Sequence, residues 1–68
     1  MQTSAILTAS AEGGYTALNP ETGTVSEGDS VEEALSNLRE AVELYLEEFP
    51  DTALKAPIIT TISIPEHA

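Results

Sequence analysis

Glu40, Glu43 and Glu47 stand at steps of three and four, so a helix would bring their carboxylates near one another. Such a trio attracts a cation, but it lacks the loop of converging oxygen ligands that a calcium site uses. Nucleophilic chemistry fares no better. Ser and Thr are plentiful, yet a nucleophile needs a base within hydrogen-bond reach. The single imidazole, His67, sits beside the C-terminus, where chains fray. The absence of Cys removes thiolate zinc sites and disulfides together. No catalytic residue, no metal ligand and no cofactor are expected.

The stretch NPETGTVSEGDS, Asn19 to Ser30, invites comparison with a phosphate-binding loop, because glycines precede a helix start. The spacing from Gly23 to Gly28 does not fit the dinucleotide fingerprint, and the Gly-Lys-Ser/Thr of a Walker A loop is missing. Asp29, Glu32 and Glu33 would also repel an anion there. The segment reads as turn chemistry followed by a helix cap.

Charge narrows the partners. The formal net charge is −10, with Arg39 and Lys55 the only cationic side chains. Nucleic-acid binding requires Lys and Arg to neutralise phosphates, and an anionic membrane surface makes the same demand. Neither is expected to be contacted directly. A basic protein partner would be attracted. No run is long and apolar enough to span a bilayer, and no leader pattern opens the chain, so a cytoplasmic location is expected.

The elements follow from pattern. Thr3–Ser10 mixes β-branched and small residues and predicts a strand. Glu12, Gly13 and Gly14 form a turn into a second strand, Tyr15–Asn19. Pro20 to Gly23 is the next turn, since Pro presets its first corner and Gly frees its end. Thr24–Ser26 is a short third strand. Ser30 with Glu33 three residues on makes a capping box. Val31, Ala34, Leu35, Leu38, Ala41, Val42, Tyr45, Leu46 and Phe49 then trace one apolar helical stripe, which Pro50 ends. Leu44 falls outside the stripe, among glutamates. After a connector, Ile58–Ile64 has the strongest β propensity in the chain, with Ile58, Ile62 and Ile64 on one face. The expected fold class is α+β: a two-layer β-β-β-α-β sandwich in one domain, 1–68. An antiparallel sheet carries one amphipathic helix, and the last strand pairs at a sheet edge or with a second copy.

A chain of 68 residues supports only a marginal core. Without disulfides, self-association is the remaining stabiliser, and a homo-oligomer, dimer or tetramer, is expected.

Taken in order, Glu12-Gly13-Gly14-Tyr15, then Asn19-Pro20-Glu21-Thr22-Gly23, then Gly28-Asp29-Ser30-Val31-Glu32-Glu33-Ala34 resemble the HicB family of antitoxins. The motif positions are Gly14, Tyr15, Pro20, Gly23, Gly28, Ser30 and Glu33. Asn37 to Leu46 and the β-rich Pro57 to Ile62 fit the same family. The resemblance implies a β-β-β-α-β domain that binds HicA, a small toxin that cleaves messenger RNA, and covers its active site. Many members add a DNA-binding segment; the expectation here is the short, solitary form, since only Pro65–Ala68 follow the last strand. The expected partner-binding residues are Glu33, Glu40, Glu43, Leu44 and Glu47, or an unpaired sheet edge. Two other readings stand beside the antitoxin: an orphan structural or regulatory homo-oligomer that binds another protein, and a ligand or enzymatic site shared between subunits.

Overall fold

A computed structural model describes residues 1–66. Three strands, β1 (Ile6–Ala9), β2 (Tyr15–Asn19) and β3 (Thr24–Gly28), form one antiparallel sheet in the order β1-β2-β3. The helix α1 (Val31–Glu48) follows and lies on one face of that sheet. The α+β architecture read from the sequence is the one observed. Ile6 pairs with Leu18 and Leu18 with Val25, while Leu7 pairs with Ala17 and Ala17 with Ser26. Alternation therefore sends Leu7, Tyr15, Ala17 and Asn19 toward α1 and leaves Ile6, Leu18 and Val25 in a row on the helix-free face.

The turns behave as their residues require. Ser10 N–H donates to Gly14 O at 3.0 Å, and Gly13 N–H to Ser10 O at 3.1 Å. Gly14 has φ 78°, in the left-handed region that favours glycine. A Cβ there would stand 2.7 Å from the Gly28 carbonyl oxygen. The second turn closes with Gly23 N–H on Asn19 O at 2.8 Å. β1 starts later than the Thr3–Ser10 pattern suggests, because Thr3 and Ser4 are engaged by the Asn19 and Glu21 side chains. β3 runs two residues past Ser26, because Glu27 and Gly28 complete the ladder with Thr16 and Tyr15.

Ser30 caps the helix in extended geometry, φ −132° and ψ 165°, and its Oγ accepts from Glu33 N–H at 3.1 Å. Glu33 reaches back to Asp29 N–H at 3.2 Å, one residue earlier than in a standard capping box. At the other end Phe49 N–H donates to Tyr45 O at 2.8 Å, and the two rings lie 4.9 Å apart. Pro50 follows and cannot continue the helix.

The core is small: Ala17, Ala34, Leu38 and Val42, with Leu7, Tyr15 and Leu46 packed around it. Small residues let the layers meet closely at the helix start. A Cβ on Gly28 would run into the backbone nitrogen and Cα of Ala34, so this glycine is required by space rather than by its dihedral.

The last expected strand differs. Ile58–Ile64 joins no ladder among the described residues, and its four isoleucines are between 69% and 94% exposed. Strand propensity describes readiness to pair; a strand forms only against a partner edge. The chain stays attached through Thr52, whose N–H and Oγ–H donate to Phe49 O at 3.1 and 2.8 Å, and through half-buried Leu54. Beyond that point it leaves the body. The radius of gyration is 14.3 Å, against about 11 Å for a compact chain of this length.

Replacing Gly28 with Ala should destabilise the fold by about 1–3 kcal/mol, since backbone meets Cβ with no rotamer to yield. Urea denaturation checks this; an unchanged midpoint would contradict the close approach.

Candidate protein-binding surface

The apolar stripe turns one side of α1 into the core and commits the opposite side to solvent. Glu40, Glu43 and Glu47 are all exposed there, and Leu44 stands 60% exposed among them. These are the side chains expected from the sequence to meet a partner, and the helix presents Glu40, Leu44 and Glu47 as one row. Glu33 lies on the same row but is tied to Asp29 by its hydrogen bond. Asn37, next to it, donates to Glu27 O at 2.8 Å, which fastens this end of the face to β3. Glu43 sits at the other margin. With Arg39 it rims a groove of ≈ 520 Å³ between α1 and the N-terminal segment.

The electrostatics of this face are unfavourable for the isolated domain. The last turn of α1 carries no basic residue, while Glu47 and Glu48 stand at the helix's negative pole. Asp51 adds a further carboxylate just beyond. Charges placed for stability alone would be reversed in sign here. At the opposite end, Glu32 and Glu33 do match the dipole.

A second, polar groove of ≈ 330 Å³ lies where the first hairpin meets the helix start, lined by Glu12, Glu27, Asp29 and Glu33 among others. Its carboxylates oppose anion binding at the helix N-terminus. No group of three Asp, Glu or His side chains among the described residues is placed to hold a metal ion. His67 lies outside the described residues.

Sequence reasoning missed the polar centre of the fold. Asn19 is fully buried. Its Nδ2 donates to Thr3 Oγ1 at 2.9 Å and Ser4 O at 2.7 Å, and its Oδ1 accepts from Thr22 N–H at 2.9 Å and Thr22 Oγ–H at 2.6 Å. The available signal was an Asn followed by Pro-Glu-Thr-Gly, an arrangement in which the amide can bond to backbone a few residues on. Beside it, Glu21 Oε2 accepts from Ser4 N–H and Ser4 Oγ–H, both at 3.0 Å. Burial disfavours the charged form of Glu21, but hydrogen bonds from Thr3 and Ser4 outweigh it and hold the carboxyl below its ordinary value. The network is a brace: it joins the N-terminal segment to the second turn and presents no reactive group to a cavity.

No protein-family model, no curated protein and no solved structure matches this chain in comparison. Among the described residues no helix is long and apolar enough to cross a membrane.

The Glu21 brace has a pH signature. A carboxyl whose pKa is lower in the folded state adds stability above its unfolded pKa, about 4.3 for Glu. That contribution disappears as pH falls through the lower, folded value. Thermal melts of the native chain and Glu21→Gln should differ at neutral pH and converge in that acid range. A constant gap across it would show that the charge of Glu21 does not contribute.

Proposed function

We propose that this protein is a HicB-like antitoxin module that binds a small, basic, HicA-type mRNA-cleaving toxin and masks it without catalysis. The observation that carries this reading is the glutamate row on the outward face of α1. It includes Glu47 at the negative helix pole, where a carboxylate opposes the stability of the free domain. The resemblance of the Gly14–Tyr15, Pro20–Gly23 and Gly28–Ala34 elements supports the same assignment. A toxin that grips RNA needs basic surface, and the row Glu40, Leu44, Glu47, with Glu33 and Glu43 at its margins, offers opposite charge around one apolar contact. Long-range attraction would speed the encounter, and Leu44 would be buried in the complex. Since the toxin's substrate is messenger RNA, the proposed site of action is the cytoplasm.

A second reading, an orphan homo-oligomer of structural or regulatory role, is favoured by a different observation: the exposed isoleucines of residues 58–64. The two readings part on one experiment. Co-expression with the small basic protein encoded beside it should relieve that protein's toxicity and yield a co-purifying complex. No neighbour of that kind and no complex would remove the antitoxin reading and leave the orphan one.

Within the antitoxin reading, reversing Glu40, Glu43 and Glu47 to Lys together should weaken toxin binding by about tenfold or more and reduce its salt dependence. Glu47→Lys alone should melt no lower than the native chain, because the helix dipole favours cations in its last turn. Calorimetric titration and thermal melts read both. Unchanged affinity would move the interface elsewhere.

A further inference from the structure

We infer that two copies of this chain exchange their C-terminal strands: Ile58–Ile64 of each copy pairs with the free edge of the other copy's β1. Three features meet in this arrangement. First, the sheet order leaves one side of β1 unpaired, and an open edge is a template for another strand. Second, the groove between α1 and the segment before β1 has an apolar floor of Ala5, Leu35, Leu38, Val42 and Leu46. Third, the tail has the alternation that such a position demands. A strand laid on the β1 edge with Ile58, Ile62 and Ile64 inward roofs this groove. Its other face then adds Ile59 to the row of Ile6, Leu18 and Val25. With the faces swapped, three isoleucines would face solvent.

The occupant is a second copy for reasons of placement and closure. Beyond Leu54 the chain runs away from its own body, giving a longest dimension of 49 Å, and the isoleucines reach 94% exposure. The outer side of β3 is unpaired too, but no β3 residue lines the apolar groove; each copy thus holds out one strand and offers the β1 edge beside that groove. A twofold axis satisfies both at once and leaves no vacant β1 edge to recruit further chains. The need is also visible in the core, where two of the four buried apolar residues are alanines. A chain this small closes such a deficit by association. The exposed glutamate row of α1 points away from the groove, apart from Glu43 at its rim, so exchange leaves the proposed toxin-binding face open.

The test uses the full chain. Sedimentation at micromolar concentration should give a dimer, with hydrogen exchange slowed over residues 58–64. Ile62→Asp should weaken the dimer by roughly 100-fold or more, as a charge would be buried without a partner. Val25→Asp, on the helix-free face, should leave it intact. Because Ile62→Asp could also impair folding, a second set relies on the absence of native Cys. Ala5→Cys is combined in turn with Thr60→Cys, Ile62→Cys and Ile64→Cys. Oxidation should give a covalent dimer in at least one pair. Bridges formed only within a chain would mean that the strand folds back on its own sheet, and would overturn the exchange. So would a monomer with rapidly exchanging tail amides, or a dimer dissociated by Val25→Asp alone.

Discussion

The buried amide of Asn19 is the interaction on which the sheet's geometry rests. A primary amide has two donors and two acceptor sites, and here every one is used. The donors hold Thr3 and Ser4, and the acceptors hold Thr22. One side chain thus fixes where the chain enters β1, how β2 ends and how the turn into β3 is shaped. A buried polar group left without partners is costly, whereas a satisfied one specifies a single arrangement. Thr22 extends the network through its hydroxyl to Thr24, so the brace continues into the first residue of β3.

On this frame the helix is set by contact at close range. Gly28 has no side chain, Ala34 and Ala17 have small ones, and the backbone of the helix start therefore settles directly against the end of β3. The Ser30 cap and the Glu33–Asp29 hydrogen bond then fix the direction in which α1 leaves. That direction decides which carboxylates reach solvent together. The glutamate row is a consequence of close packing beneath it as much as of its own spacing.

A tension runs through the molecule between holding together and remaining available. The close approach that positions α1 also limits the apolar volume of the core. Carboxylates at the helix's negative pole add repulsion. The strongest strand former in the chain stands in solvent. Each of these weakens an isolated copy, and each creates surface suited to contact: acidic on the helix, apolar at the tail and along the β1 edge.

Much of this was legible in the residues. Steps of three and four from Val31 to Leu46, with Ser30 before and Pro50 after, define the helix because its signals are local. The turns at Gly13–Gly14 and Pro20–Gly23 are equally local. The strand ends were less legible: β1 lost Thr3, Ser4 and Ala5 at its start and Ser10 at its end, and β3 gained Glu27 and Gly28, because ladders depend on what stands across them. The acidic row was readable from spacing, but its division into a Glu33 end tied to Asp29 and a Glu43 margin on a groove was not. That required the position of the sheet beneath. Asn19 looked like an ordinary turn residue until four polar atoms were seen to converge on it. Ile58–Ile64 shows the limit most plainly. Sequence alone established that it is fit to be a strand, since propensity and alternation belong to the segment. Only tertiary structure decided that its own sheet leaves it unpaired, because pairing depends on where a segment is placed against an edge, which no pattern within the segment encodes.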